Sequence, residues 1–182
     1  MFMTDFWTKI PIIVAVAGTI LSIVSLAYQI RRSRFVTSID LLLKFESNFF
    51  GREKREIRSK AARGMLRETA DFSEAEDILD FFETIALLVR KGALDSYMVW
   101  HTFDYWISRY YEAAKKHILL RQQAEPQVWQ DFCDLVQKMR RQEIRASRLD
   151  TISQTVPSAL EIRRFLEEEL NEGKPRDRSY SG

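Results

Sequence analysis

Residues 9–34 read KIPIIVAVAGTILSIVSLAYQIRRSR, and no charged residue lies between Lys9 and Arg31. The apolar run from Ile10 to Ile30 has 21 residues, of which 11 are Ile, Leu or Val. As an α-helix rising about 1.5 Å per residue, it would reach roughly 31 Å, which is close to the hydrocarbon thickness of a bilayer. The run therefore predicts one transmembrane helix at residues 10–30.

Two other interpretations of this run fit less well. A secretory signal would begin with a basic segment and end at a small-residue cleavage site, whereas the chain begins MFMTDFWT and the run ends AYQIRRSR. A helix buried in a soluble core rarely extends so far without a charge. We therefore expect an uncleaved anchor, with a core helix as the remaining alternative.

The flanking charges predict the orientation of this helix. One Lys and one Asp precede the run, whereas Arg31, Arg32 and Arg34 follow it at once. The positive-inside rule places the side with more Lys and Arg in the cytoplasm. We expect a single-pass protein of the plasma (inner) membrane, with residues 1–9 outside and the rest of the chain in the cytoplasm.

A small-residue face lies along the predicted span. Its members recur at spacings of three and four and are Ala15, Gly18, Ser22 and Ser25. Small residues let two helices approach closely in a membrane, so this face is a candidate surface for self-association. A lone helix in the membrane is the alternative.

The rest of the chain predicts an all-α fold. Six Gly and four Pro leave few turns, and apolar residues at helical spacing extend the first helix as far as Gly51. We expect residues 31–171 to form an antiparallel bundle of about five helices, followed by a disordered tail at 172–182.

Terminal signals predict the limits of these helices. Arg52–Arg67 is a very basic second helix, and SEAE at 73–76 has the capping-box pattern that starts a third, which Gly92 ends as a C-cap. A fourth helix is expected to begin near Asp95, Pro126 suits the first turn of a fifth, and a last short helix is expected from Ser158 to Leu170.

Four segments resemble a known family. They are DFFETIALLVRKGALD at 80–95, FDYWISRYY at 103–111, ILLR at 118–121 and PQVWQDF at 126–132. Together they are similar to the bacterial domain-of-unknown-function family 4760, whose members are small helical proteins, many with one N-terminal transmembrane helix. The resemblance covers roughly residues 30–140 and implies a helical bundle. It carries over no catalytic residue, because no activity is established for that family.

Few residues suggest chemistry. His101 and Asp104 have a spacing that suits one helical face, but no second ligand pair completes a metal site. Cys133 lies in an apolar stripe and is interpreted as a core residue. The six glycines are scattered, so no phosphate-binding loop is present. We expect no metal and no cofactor.

Charge is distributed in blocks. Residues 31–68 carry 11 Lys or Arg against 5 Asp or Glu, whereas residues 69–112 carry 3 against 9. The basic block follows the span and predicts contact with anionic headgroups, which attract Lys and Arg by about 1 kcal/mol each. The residues assigned to this surface are Arg31, Arg32, Arg34, Arg55, Arg58 and Arg63.

The alternative for the basic helix is internal pairing with the acidic start of the third helix, through Asp71, Glu74, Asp77 and Asp80. Nucleic-acid binding is not expected, because Glu53 and Glu56 interrupt the basic block and no stacking aromatics accompany it.

Glu83 is the one acid within FFETIALLV at 81–89. A buried carboxylate needs a partner, because an unpaired interior charge costs several kcal/mol. If helices two, three and four are antiparallel neighbours, position 83 lies level with about residue 57 on one side and residue 103 on the other, so that Arg58 and Arg109 are within a turn of it and within reach of long side chains. We therefore predict an ion pair of Glu83 with one of these arginines; a functional carboxylate in a polar pocket and a solvent-exposed acid are the alternatives.

These observations predict a membrane-anchored, non-catalytic interaction or scaffold module. It would dock an unidentified protein partner or assemble with itself at the membrane. The rival hypothesis is a small helical-bundle enzyme near the membrane, with or without a metal, that uses His101, Asp104 and Glu112.

Overall fold

A computed structural model describes residues 4–67, 72–147 and 156–172, with side chains of α1 from residue 19 onward except at position 34. Over these ranges the chain forms six α-helices and no strand, which confirms the predicted all-α fold. The helices are α1 Thr4–Phe50, α2 Arg52–Arg67, α3 Ser73–Arg90, α4 Ser96–Ala124, α5 Gln130–Ser147 and α6 Ala159–Glu172.

The chain divides into two compact units, Met1–Asp40 and Leu41–Gly182. α1 runs without a break through the whole apolar stretch and beyond it to Phe50, as its sequence pattern predicts. Among the residues that the structure describes, no helix is long and apolar enough to cross a membrane. The side chains of residues 10–18, which form the first part of the apolar run, lie outside those residues, as do the side chains of 1–9.

The second unit has an aromatic core at the centre of its bundle. Phe49 stacks on Phe81 with ring centroids 5.3 Å apart and meets the edge of Phe103 at 5.6 Å. Phe82, which is fully buried, stacks on Phe132 of α5 at 5.7 Å. Aromatic pairs in these geometries stabilise a core beyond the area that they bury. α2 packs against α3 and α6, and α4 packs against α3, α5 and α6.

α3 ends as its sequence predicts but does not begin so. Gly92 has a φ of 71°, and its N–H donates to Val89 O at 3.1 Å while the N–H of Ala93 donates to Leu88 O at 2.9 Å. This is a Schellman motif, in which glycine adopts the left-handed conformation at the helix end. At the other end, Phe72 occupies the N-cap without a side-chain cap, and Ser73 is already helical, so the predicted capping box is wrong.

α4 begins at the predicted place, with Asp95 as N-cap, whose carboxylate accepts from the N–H groups of Tyr97 and Met98. α5 begins later than predicted. Pro126 lies in a turn, Trp129 has a positive φ of 52°, and the helix starts at Gln130. Because a non-glycine residue rarely adopts this conformation, Trp129 marks a forced change of chain direction before α5.

A capping box starts α6. The backbone N–H and the hydroxyl of Ser158 both donate to Glu161 Oε2 at 2.7 Å, and Glu161 N–H lies 3.3 Å from Ser158 Oγ. α6 then continues to Glu172, two residues beyond the predicted end. Of the predicted tail, residues 173–182 lie outside the described chain.

Candidate functional site

The described part of α1 within the first unit presents an apolar surface. Ile20, Leu21 and Val24 are 57%, 73% and 62% exposed. On the predicted packing face, Ser22 and Ser25 are exposed, and Gln29 Nε2 donates to Ser25 Oγ at 3.4 Å. Ala15 and Gly18 lie outside the described side chains. The apolar side chains of this stretch therefore stand away from any protein core within their unit.

The basic residues assigned to a membrane surface separate into two groups. Arg31, Arg32, Arg55 and Arg63 are exposed, and the side chain of Arg34 is outside the described part. Arg58 is only 1% exposed, so its assignment to lipid contact is wrong. A guanidinium enclosed by protein has no access to headgroups.

The alternative pairing of α2 with the acidic start of α3 is not what the structure shows. No ion pair joins an arginine of α2 to Glu74, Asp77 or Asp80, and Asp71 lies outside the described residues. Asp80 instead accepts a hydrogen bond from Trp129 Nε1 at 2.7 Å. The exposed arginines of α2 are thus not neutralised by α3.

Arg58 is the centre of a buried network between α2 and α6. Its Nε lies 3.3 Å from Glu169 Oε2, and its Nη2 donates to Glu172 Oε2 at 3.1 Å. The guanidinium also stacks over the ring of Phe49, with its Cζ 4.4 Å from the ring centroid. Tyr110 of α4 donates its hydroxyl proton to Glu169 Oε2 at 2.8 Å. Three helices therefore meet at one carboxylate.

The electrostatics of this network follow from its burial. Burial raises the pKa of Glu169, and Arg58, Tyr110 and Trp106 act against that rise. The pKa of Tyr110 is raised well above its usual value by burial and by the nearby Glu169 carboxylate. Arg58 Nε and Nη1 have no hydrogen-bond partner of acceptable geometry. The network is thus enclosed and incompletely satisfied.

Glu83 does not form the predicted ion pair. Its carboxylate accepts from the backbone N–H of Phe132 at 2.6 Å and of Asp131 at 3.3 Å, at the start of α5. A helix N-terminus has unpaired N–H groups and a partial positive charge, so it satisfies a carboxylate as an arginine would. Arg58 pairs with α6 instead, and Arg109 stacks 3.9 Å from the ring centroid of Tyr105.

The environment of Glu83 also shifts the pKa of its carboxyl. Burial raises the pKa of its carboxyl, while the hydrogen bonds from Phe132 and Asp131 oppose that rise. On the same end of α5, Arg90 Nε lies 2.7 Å from Asp131 Oδ1. Two acids and one arginine therefore attach the start of α5 to α3.

A second polar cluster lies between α4 and α5. Arg140, nearly buried, forms an ion pair with Glu112, which also meets Lys115 Nζ at 3.4 Å. Burial, with a further contribution from Glu143, raises the pKa of Asp104 to about 6, and Arg109 and Arg140 oppose the rise. The buried atoms without a hydrogen-bond partner include three along these two helices, Trp100 Nε1, Arg140 Nε and Gln142 Oε1.

The residues of the rival enzyme hypothesis do not converge. His101 is exposed and contacts the rings of Tyr97 and Trp100, whereas Glu112 is held by Arg140. Within residues 4–67, 72–147 and 156–172, no group of three His, Cys, Asp or Glu side chains is arranged to hold a metal ion. Cys133 is half-buried, and burial raises the pKa of its thiol, which disfavours the nucleophilic thiolate.

Sequence reasoning missed the Arg58–Glu169 network, although a signal was present. Arg58 shares the spacing of Ala61, Ala62 and Met65, which are buried on the same side of α2. A cation in the apolar register of a helix must be paired when the helix is buried. That register predicts burial for Arg58, but it does not identify the partner helix.

The fold and these contacts define a helical-bundle domain with charged groups inside it. The model of the family described as Domain of unknown function (DUF4760) matches residues 12–139, which is more than half of the chain. The chain belongs to this family, as the resemblance of its aromatic segments indicates. No curated protein and no solved structure is significantly similar to the chain.

Proposed function

We propose that the chain is a membrane-anchored, non-catalytic interaction module, in which residues 10–30 span the membrane and the helical bundle docks a protein partner or a second copy. The observation that carries this proposal is the exposed apolar surface of α1. Leu21 and Val24 lie in a helix with no charge between Lys9 and Arg31, and they are 73% and 62% exposed. Lipid is the environment in which such a surface is stable.

The orientation follows from the same helix. Arg31 and Arg32 are exposed immediately after the apolar run, which favours retention of that end in the cytoplasm of the cell. The protein is then a single-pass component of the plasma (inner) membrane, with its N-terminus outside. Arg55 and Arg63, which have no acidic partner on α3, remain available to anionic headgroups.

Several features of the bundle favour docking over catalysis. Three of its interior acids are engaged structurally, with Glu83 on the N-terminus of α5, Glu112 on Arg140 and Glu169 on Arg58. Charges engaged in this way position helices and are poorly placed to bind a substrate or to transfer a proton. A basic surface interrupted by acids also supports a protein or lipid partner in preference to a nucleic acid.

The test is extraction of the protein from membranes. The intact chain should sediment with membranes and resist alkaline carbonate, whereas a chain lacking residues 1–30 should be released. Recovery of a mature chain that begins near Arg31 would contradict the anchor. A pull-down that compares the two chains would then identify partners that need the membrane-bound form.

A second candidate, a small metal-dependent enzyme, rests on one observation. Asp104 has its pKa raised to about 6 and lies one helical turn from His101. Metal analysis of the purified protein tests it, together with the His101→Ala variant. A stoichiometric metal that disappears in His101→Ala would replace the proposal of a non-catalytic module.

A further inference from the structure

α1 carries a shallow, open groove immediately after its apolar run. The groove has a volume of about 350 Å³ and is lined by Gln29, Arg32, Ser33, Val36 and Thr37. All five side chains are exposed, and all five residues belong to the first unit of the chain. We call this surface the α1 groove.

Two ridges of the helix form the α1 groove, because residues four apart lie above one another on a helix surface. Gln29, Ser33 and Thr37 make one ridge, which supplies an amide and two hydroxyls. Arg32 and Val36 make the other, which supplies a guanidinium and two methyl groups. One cation among neutral hydrogen-bonding groups suits a phosphate, since a guanidinium matches phosphate oxygens in charge and in geometry.

The guanidinium of Arg32 is available to an anion. Among the ion pairs of the described residues, none involves Arg32. The sequence has no acid between Asp5 and Asp40, so no neighbouring carboxylate along the helix competes for Arg32 or repels an anion from it. The charge of Arg32 therefore has no counterpart within its own stretch of α1.

The other ridge offers both acceptors and donors. Thr37 Oγ1 donates its proton to Ser33 O at 2.9 Å, which leaves the Thr37 hydroxyl oxygen as an acceptor. Gln29 Nε2 donates one proton to Ser25 Oγ at 3.4 Å and keeps a second one. A phosphodiester whose headgroup carries a hydroxyl uses this set, because its phosphate accepts from Arg32 while its hydroxyl donates to Thr37.

The level of the groove along α1 indicates the source of the phosphate. The apolar run ends at Ile30, and a helix advances about 1.5 Å per residue, so Arg32 and Ser33 lie roughly 3 to 5 Å beyond the run. The polar layer of one leaflet is about 5 to 8 Å thick. If residues 10–30 span the bilayer, Arg32 and Ser33 therefore lie among the lipid headgroups, and Thr37 lies at the outer margin of that layer.

We infer that the α1 groove binds the phosphodiester headgroup of an anionic, hydroxyl-bearing lipid, with Arg32 holding the phosphate and Thr37 accepting from the headgroup. The inference rests on the proposed function and deepens it, because lipid phosphates reach the groove only when residues 10–30 lie in the membrane. It differs from a general attraction of basic residues to headgroups, since it assigns one lipid to one face of α1. Arg31 is equally exposed but lies outside the groove and takes no part.

The test is native mass spectrometry of the full chain in mild detergent, titrated with phosphatidylglycerol. The natural chain should retain one lipid per copy. Arg32→Ala should weaken this binding about tenfold, which corresponds to about 1.4 kcal/mol, and Arg32→Lys should weaken it less. Arg31→Ala removes the same charge one residue away and should weaken binding by less than about twofold, because an exposed charge outside the groove is screened. Equal losses for Arg31→Ala and Arg32→Ala would overturn the site.

The same spectra separate other occupants of the groove. Phosphatidylcholine, which has no net charge and no headgroup hydroxyl, should be retained more weakly, and equal retention of the two lipids would overturn the assignment. Added inorganic phosphate should leave the bound lipid in place. Displacement of the lipid would make free phosphate the ligand. A lipid-free dimer that Arg32→Ala dissociates would place a second copy in the groove, and either result would overturn the inference.

Fractionation distinguishes a failure of this inference from a failure of the anchor. The natural chain and the Arg31 and Arg32 variants should all resist extraction with alkaline carbonate. Release of the natural chain would contradict the anchor. Variants that stay in the membrane and bind phosphatidylglycerol alike would overturn only the lipid site.

Discussion

The same residue types have opposite environments in α1 and α3. In α1, Ile20 and Leu21 are 57% and 73% exposed, whereas in α3, Ile78 and Leu79 are completely buried. Neighbouring helices cover the side chains of α3, and water is a costly environment for the equivalent side chains of α1. Apolar residues at helical spacing therefore indicate that one face of a helix is shielded from water, but they do not indicate what shields it. For α3 the shield is protein, and for α1, in our proposal, it is lipid.

The largest expected effect on stability comes from truncating a buried side chain of α3. Phe82→Ala removes a fully buried ring that contacts Phe49, Phe103 and Phe132, so the free energy of unfolding should fall by about 3 to 5 kcal/mol. Leu21→Ala is the matched change in α1 and should leave the unfolding of the bundle unchanged. Denaturant unfolding in detergent micelles, followed by tryptophan fluorescence, measures both. Equal losses for the two variants would contradict the comparison.

The next effect concerns the insertion of α1 into lipid. Ile20→Arg places a charge at the centre of the apolar run, which should disfavour insertion by about 2.5 to 3.5 kcal/mol. The fraction of protein that resists carbonate extraction should drop, whereas Ile20→Leu should behave as the natural chain. Retention of Ile20→Arg in membranes at the normal level would indicate that the run does not enter lipid.

A smaller effect on stability is expected at Glu83, whose carboxylate lies within the bundle. Glu83→Ala removes the acceptor for two N–H groups of α5 and should lower the free energy of unfolding by about 1 to 2 kcal/mol. Glu83→Gln keeps an acceptor and should cost less. Asp77→Ala, at an exposed position of the same helix, is the control and should change stability little. A larger loss for Asp77→Ala than for Glu83→Ala would refute the capping role.

A further effect is a pH dependence of stability within the bundle. The pKa of Asp104 is about 6 in the folded chain against a usual value of 3.8, so the folded state binds the proton more tightly than the unfolded state. Its contribution to stability is therefore present below pH 4 and is lost as the pH rises through about 6.

Asp104→Asn mimics the protonated acid and isolates this contribution. Relative to the natural chain, the variant should be more stable at pH 8 and nearly equal at pH 4. Melting temperatures at the two pH values give the answer. A constant difference between variant and natural chain across this range would show that Asp104 does not titrate in the folded protein as its burial indicates.

Much of the fold was predictable, because local signals determine helix limits. Gly92 ends α3 through its left-handed conformation, as predicted, and α4 begins near the predicted position, where the structure shows Asp95 as its N-cap. The pattern Ser-x-x-Glu occurs at Ser73 and at Ser158, but only the second forms a capping box. Pro157 disfavours a helical conformation for the residue before it, which favours Ser158 as the N-cap. No proline precedes Ser73, so the same constraint is missing there.

The partners of the interior charges were not predictable in the same way. Periodicity indicates that Arg58 and Glu83 face inward, but it does not say which helix lies above them. If helices that follow one another in the chain are antiparallel neighbours, Glu83 pairs with Arg58 or with Arg109. In the structure, α6 contacts Arg58 and the start of α5 contacts Glu83. No strong sequence signal marks the positive φ at Trp129 or the late start of α5 after Pro126. These two features bring the N–H groups at the start of α5 to Glu83.

The most direct test of the central claim, that residues 10–30 anchor this bundle across the plasma membrane with the N-terminus outside, is cysteine labelling in intact cells. A cysteine at Met3 should react with a membrane-impermeant maleimide, whereas a cysteine at Ser181 should react only after the cells are lysed. The natural chain, whose one cysteine is Cys133, is the control and should stay unlabelled in intact cells. Labelling at position 181 but not at position 3 would reverse the orientation, and protection of both positions in intact cells, with the protein recovered from the soluble fraction, would contradict the anchor itself.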